Sequence, residues 1–465
     1  MIENKGTIFG IIALIIGASG LGLGAFSIIS IQMIEGEQGP PGEDGIDGID
    51  GIDGINGTDA PGYFCSSAVE VQQALDSIGN SSGRVIIEES ITLTSKINIS
   101  GGGSYVIQGQ GASTIIDCNG NWNVFNITNA TSCIIKDLKI DSSDIGITTA
   151  IININEINDN PVYIEKIQII GDIDRHGYGI YIDSGNVWVI NCFISEIYTG
   201  IYQVSNLGNA HIYDNIIRDY QIDGMFILGG NNHISGNSIE IGLKYGLRIY
   251  SSHNMVTDNI IRDLYMGILL FEDNNTIIGN NIYSCQTNGI YSLYCNYNEF
   301  SGNNILDGGS VGIYLDKCNY SVISENLISD IGTNGIKLEN CSSNAISGNH
   351  ISFGTLYGIQ LSYDSDYNVV SGNSIINLSR TIDASSFAGI FLSGDTDFNT
   401  IIGNGIFNCV SYGGGTGFGI WIWEYLAGLY CNNNTVFGNT ALNNDKNWDD
   451  HGTNTFGNET NNNFG

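Results

Sequence analysis

Asn232-His-Ile-Ser-Gly-Asn237-Ser-Ile239, Asn254-Met-Val-Thr-Asp-Asn259-Ile-Ile261, Asn344-Ala-Ile-Ser-Gly-Asn349-His-Ile351 and Asn368-Val-Val-Ser-Gly-Asn373-Ser-Ile375 are four renderings of one sentence. Each follows a Gly-Ile-x-Leu segment or a close variant of it. The last Asn of the unit steps through Asn215, Asn237, Asn259, Asn280, Asn303, Asn326, Asn349 and Asn373, at intervals of 22, 22, 21, 23, 23, 23 and 24. A period so regular is that of a solenoid. Within each unit Ile, Val or Leu alternates with polar residues, the period of a strand, and no run has the 3.6 period of a crossover helix. The expected fold is therefore all-β: a right-handed, single-stranded parallel β-helix of roughly 22–24 residues per coil, with coils about 4.8 Å apart and the hand set by crossover chirality. The repeated Asn is expected to stack from coil to coil as corner glue and to accept the left-handed backbone that a sharp corner needs.

The pattern resembles the β-helix repeat of NosD-like proteins and of carbohydrate-binding and sugar-hydrolysing β-helices, from about Ser67 to Gly465. Ala68-Val-Glu-Val-Gln-Gln-Ala-Leu-Asp-Ser-Ile78, then Gly83-Arg-Val-Ile-Ile-Glu88 and Tyr105-Val-Ile-Gln-Gly109, is similar to the entrance of pectin-lyase-like folds. That resemblance implies a helix near 67–78 capping the first coil. Asp449-Asp-His-Gly-Thr-Asn-Thr-Phe-Gly-Asn458 resembles the closing segment of NosD-like domains, so a C-terminal cap is expected near 443–465. Such β-helices include lyases, hydrolases, adhesins and proteins with no chemistry, so the fold leaves function open.

Upstream, Ile8 to Ile31 holds no charged residue and is long enough for the roughly 20 residues of a membrane-spanning helix. Lys5 before it and Glu35 and Glu37 after it place residues 1–7 in the cytoplasm and the domain at 63–465 outside the cell, on a single-pass anchor over 8–31. Residues 32–62 carry Gly at every third position from Gly36 to Gly57. That is the collagen period, which would make a homotrimeric stalk, yet Pro40 and Pro41 are its only prolines within the repeat and Asp44, Asp47, Asp50 and Asp53 line up. A triple-helical stalk and a flexible acidic spacer both fit.

With 48 acidic against 15 basic residues and a formal charge of −33, the chain repels nucleic acid and anionic lipid. Divalent cations, basic partners and neutral glycans remain. Ca2+ is compatible with scattered carboxylates, but no EF-hand loop is present. Sequons such as Asn98-Ile-Ser and Asn126-Ile-Thr suit a glycosylated surface protein. Of the ten cysteines, Cys295, Cys318 and Cys341 fall six residues after successive repeat glycines, so they stack as a small-residue ladder in which two neighbours could form a disulfide.

Three sets of side chains are candidates for function. Two residues after each repeat Gly the outward column reads Tyr181, Tyr202, Phe226, Arg248, Leu269, Tyr291, Tyr314, Lys337, Gln360, Phe391 and Trp421. Its aromatics, Tyr181, Tyr202, Phe226, Tyr291, Tyr314, Phe391 and Trp421, are expected to offer ring faces to sugars, or merely to reflect the strand preference of aromatic residues. His211, His233 and His253 lie within about two coils of one another, where imidazoles could share Zn or Cu, or stand as solvated strand residues. Arg218, Glu240 and Arg262, with Asp219 and Asp263 beside them, are the weak catalytic candidates, since carboxylate and arginine on a β-helix face could serve a lyase or glycosidase. Neutralisation of that column as a surface network is the plainer expectation. The reading favoured by sequence is a membrane-anchored surface β-helix that binds glycans or partner proteins without turnover. A polysaccharide lyase or glycoside hydrolase is the alternative, and a NosD-like metal-associated maturation factor a second one.

Overall fold

The computed structural model of the chain describes residues 62–465 except 119, 143–148, 156–159, 173–176, 205–206, 381–385, 413–414, 424–429, 457–462 and 465. The cytoplasmic tip at 1–7, the membrane span at 8–31 and the Gly-x-y segment up to residue 61 lie outside the described residues. Among the described residues no helix is long and apolar enough to cross a membrane.

The described chain is a parallel β-solenoid of about 16 turns. Its strands form three ladders, each pairing only with the coil before and the coil after. Face A runs from Gly62–Cys65 through His233–Ser235 and Val322–Ser324 to Thr455–Phe456. Face B runs from Ile91–Leu93 through Ser238–Gly242 and Leu327–Ile331 to Asn463–Phe464. Face C runs from Ile97–Ile99 through Tyr245–Ile249 and Val311–Asp316 to Lys446–Asp450. Alternate residues point inward, so Ile, Val and Leu stack as fully buried columns, among them Ile268, Ile290, Ile313, Ile336 and Ile359.

At the start, the helix Ala68–Ile78 lays Val71, Ala74, Leu75 and Ile78 over the first coil. Ser67 caps it by accepting from the Glu70 amide, while the Glu70 carboxylate accepts from the Ser66 amide at 2.7 Å. At the other end the described strands of 443–465 continue the three ladders. The longer coils after Asn373 and Asn404 pair with each other through Ser379–Arg380 and Val410–Ser411.

Two asparagine ladders hold the corners. Asn237 shows the pattern: its backbone N–H and its Nδ2 both donate to Oδ1 of Asn259, at 3.0 and 2.9 Å. Nδ2 also donates to the Ile212 carbonyl at 2.8 Å, and Oδ1 accepts twice from Asn215. This ladder joins face A to face B from Asn215 to Asn439; the second joins face C to face A through Asn232, Asn254, Asn275, Asn298, Ser321, Asn344, Asn368 and Asn399. The expectation that these asparagines take the left-handed backbone is corrected. The residue before each one does so: Gly236 (φ 68), Asp258 (φ 56), Gly279 (φ 68) and Glu325 (φ 56) before Asn237, Asn259, Asn280 and Asn326. The Asn itself stays in a conformation that aims its amide along the stack.

The cysteine stack forms without a disulfide. Sγ of Cys295 and Cys318 stand 3.7 Å apart, against the roughly 2.05 Å of a bond, and Cys341 Sγ accepts from the Cys318 amide at 3.2 Å. All ten cysteines are free and buried. Cys295, Cys318 and Cys341 serve as small apolar side chains at the corner beneath the second ladder.

Candidate functional site

Face C carries the outward column in the order that the sequence predicts, in register from Tyr181↔Tyr202 to Phe391↔Trp421. Its rings, however, do not present open faces. Tyr181 stacks on Tyr202 at 5.8 Å, Tyr202 on Phe226 at 4.8 Å and Tyr291 on Tyr314 at 4.8 Å. The Arg248 guanidinium lies 4.4 Å over Phe226, Lys337 Nζ lies 4.6 Å over Tyr314, and Phe391 is packed at 4.2 Å against Tyr357 and at 4.8 Å against Trp421. Stacking one coil above another spends the ring faces on each other, leaving edges, hydroxyls and charged neighbours for a ligand.

Two polar clusters result. In the first, Asp223 is buried and receives Nη2 of Arg248 at 2.5 Å. Its Oδ1, Arg248 Nε and the buried Tyr220 hydroxyl have no partner. Burial pushes the Asp223 carboxyl up to about 6, against the pull of Arg248. An unfolded Asp titrates near 3.9, so this group favours folding fully below about pH 4 and its contribution is lost as pH rises through about 6. Raising the pH from 5 to 7 is expected to remove about 1 kcal/mol of stability through this group. Urea midpoints of the wild type and of Asp223→Asn at the two pH values check this, the variant losing that share of the slope.

In the second cluster the Tyr314 hydroxyl donates to Glu339 at 2.6 Å, Lys337 Nζ pairs with Glu339 at 2.6 Å, and the Tyr291 hydroxyl meets Asp316 at 3.5 Å. Asp316 and Glu339 are register partners on adjacent coils. Burial and the Glu339 charge raise the Asp316 carboxyl, whereas Lys337 and Tyr314 together outweigh burial and lower Glu339. Beside this cluster a groove of about 460 Å³ runs across successive coils, lined by Tyr265, Thr287, Asn288, Ser310, Thr333, Asn334, Leu356 and three members of the outward column, Tyr314, Lys337 and Gln360. Asn334 Nδ2 donates to Gln360 Oε1 at 2.5 Å, fixing both amides at its wall.

The other candidates are placed apart from this groove. On face B, Arg218, Glu240 and Arg262 stack in register, with Arg262 paired to Glu240 and, at 3.5 Å, to Asp263, and Arg218 to Asp219 at 2.8 Å. Asp219 and Asp263 sit at left-handed bends beside the strand column. The column is a neutralised network. His211 and His233 are register partners on face A and both bond the Tyr213 hydroxyl, at 2.9 and 2.8 Å. His253 does not join them: it occupies the left-handed corner position before Asn254, and Met255 continues the column above His233. Among the described residues no group of three His, Cys, Asp or Glu could hold a metal ion.

One aromatic set was missed. The residue before each corner Asn or Ser between faces C and A is Tyr297, Tyr320, Tyr367 and Phe398 on four of the coils, all left-handed and all exposed. Asn231, Asn274 and Asn433 hold the same position elsewhere without the roughly 1–2 kcal/mol that a left-handed backbone costs an ordinary residue. A reading of the position just before the ladder would have found the set.

Residues 245–406 match the family model for the right handed beta helix region. These coils are a right-handed β-helix. No curated protein sequence matches the chain. Among solved structures, the A-module of the mannuronan C-5 epimerase AlgE4 of Azotobacter vinelandii is similar at 16% identity with a TM-score of 0.53, over 68% of this chain and 93% of that one. The Dettilon tailspike protein is similar at 15% identity and a TM-score of 0.45, over 66% of this chain and 62% of that one. The catalytic unit of the α-1,3-glucanase of Streptomyces thermodiastaticus gives 12% identity and a TM-score of 0.40, over 83% of this chain and 65% of that one. At this identity the likeness to the epimerase module is one of fold.

Proposed function

We propose that this chain is a carbohydrate-binding β-helix that takes an extended glycan along the face C groove, held away from a membrane by residues 8–31 and the Gly-x-y segment. The observation that carries the reading is the groove itself, which gathers Tyr314, Lys337, Gln360 and Asn334 along the coil axis. Hydroxyl, ammonium and amide groups on a partly aromatic wall match the alternation of polar edge and apolar face in a sugar. The similar epimerase module is named for a polysaccharide, mannuronan. The formal charge of −33 here favours neutral glycans over acidic ones.

A second reading, proton transfer on the bound sugar, is favoured by one observation: Asp316 and Glu339 are neighbours whose affinities for a proton are pushed in opposite directions. A glycan array with the full-length chain tests both readings. A Tyr314→Ala/Lys337→Ala variant is expected to weaken the bound glycan by about tenfold or more. No binding to any glycan would sink the carbohydrate reading. Incubating the hit with wild type and with Asp316→Asn then decides on turnover, since new reducing or unsaturated ends made only by the wild type require the acid.

A further inference from the structure

We propose that the corner between faces C and A holds a slot for one neutral pyranose ring, formed where a stacked aromatic ladder skips a rung at Ser343. The inference rests on the carbohydrate reading but not on the face C groove. Tyr297, Tyr320, Ser343, Tyr367 and Phe398 occupy the same left-handed corner position on five successive coils. Their register is locked from below: the residues that follow them, Asn298, Ser321, Asn344, Asn368 and Asn399, bond one another in sequence through backbone N–H and side-chain oxygen.

The rings stack as two separate pairs. Tyr297 lies 5.1 Å from Tyr320 at 10° between planes, and Tyr367 lies 5.0 Å from Phe398 at 4°. Ser343, with no ring, stands between the pairs, so the upper face of Tyr320 and the lower face of Tyr367 look at each other across two coil steps. At about 4.8 Å per step the gap between those faces is roughly 10 Å. One ring fits that span, as the 5.0–5.1 Å spacing within each pair shows, and a saturated sugar ring can turn C–H groups to both flanking aromatic faces. Tyr320 and Tyr367 are 55% and 58% exposed, so the slot opens to solvent.

The rim selects the kind of ring. Asp364 and Asp366 precede Tyr367 in its turn, Asp366 Oδ1 accepting from the Asp397 amide at 2.7 Å, so the turn beside the gap carries negative charge. Carboxylates accept hydrogen bonds from sugar hydroxyls and repel uronic acids, sulfates and phosphates. Where the rings of the face C column stop, Arg248 and Lys337 lie over Phe226 and Tyr314; here two ring faces are left opposed across a single Ser.

The test uses the full-length chain in detergent micelles, titrated with neutral hexaoses of glucose, mannose and galactose and followed by tyrosine fluorescence. Ser343→Tyr completes the ladder and closes the slot with a residue that neighbouring coils already hold in that backbone position. It is expected to weaken the bound hexaose by about tenfold, as are Tyr320→Ala and Tyr367→Ala. Unfolding midpoints confirm that each variant is folded. Unchanged affinity in a folded Ser343→Tyr overturns the slot, and so does failure of every neutral hexaose to bind. Tighter uptake of p-cresol than of any sugar overturns its assignment to a pyranose. A glycan lost only with Tyr314 and Lys337 leaves the groove reading standing and removes this one.

Discussion

Asn303→Ala is expected to destabilise the chain by about 4 kcal/mol. Its side chain has no contact with solvent, and every polar atom of the amide is in use: Oδ1 accepts from the Asn280 backbone N–H and Nδ2, both at 3.0 Å, and Nδ2 donates to the Ile277 carbonyl at 2.8 Å and to Asn326 Oδ1 at 3.0 Å. Alanine removes one link and takes their partner from the buried Asn280 backbone N–H and the Ile277 carbonyl, at about 1–3 kcal/mol for each group left unpaired. Urea unfolding measures the loss. Because each coil touches only its neighbours, the break is also expected to lower cooperativity between the coils before and after it, seen as a broadened or split transition. Asn304→Ala is the control. Asn304 is half-buried on face B, its Nδ2 reaches only Asn281 at 3.2 Å, and a loss within about 1 kcal/mol is expected. Equal losses in the two variants would show that the ladder is not what holds the corner.

Gly312→Ala is expected to cost about 3 kcal/mol for a different reason. A Cβ there would lie 2.6 Å from the Gly335 carbonyl oxygen and 2.7 Å from Ile328 Cγ2. The first is backbone of the next coil and the second a stiff, buried β-branched side chain, so neither gives way cheaply. The same collision recurs at Gly179, Gly200, Gly224, Gly246, Gly267, Gly289, Gly335 and Gly358, each of which meets the next glycine's carbonyl within 2.8 Å. This explains the repeat glycine: the strand of face C enters so close to the coil above that no side chain fits. Gly372→Ala separates this effect from conformational freedom. Gly372 has φ 65 and nothing within 4 Å of an added Cβ, so only the left-handed backbone is charged, about 1 kcal/mol. Thermal and urea midpoints of the two variants should differ in that order, and a Gly372 loss equal to that of Gly312 would contradict the steric account.

Residues that act through the repeat were legible, and residues that act through their departure from it were not. The column from Tyr181 to Trp421 could be listed because a strand sends alternate side chains to one side. That Phe391 is covered by Tyr357 could not, since Tyr357 stands three residues before Gln360, the column member of its coil, and pairs with Ala388. Asp316 and Glu339 lie two residues beyond that column, and nothing in their spacing marks the burial and the Glu339 charge that raise Asp316, or the Lys337 ammonium and Tyr314 hydroxyl that lower Glu339. His253 was grouped with His211 and His233 by parity alone. The left-handed bend at His253 breaks that parity, and Met255 stands where a third imidazole would be needed.

By itself the sequence determined the solenoid, the period of its coils, the inward columns of Ile and the stacking of its asparagines, because each of these is a periodic property that every coil repeats with its neighbours. Tertiary structure alone decided which ring faces stay open, which carboxylates bind a proton more tightly and where a groove forms. Those depend on what the adjacent coil places a few ångströms away, some 22 to 24 residues distant along the chain, and on breaks in the period such as Ser343, whose meaning is the gap between two rings that its own side chain does not fill.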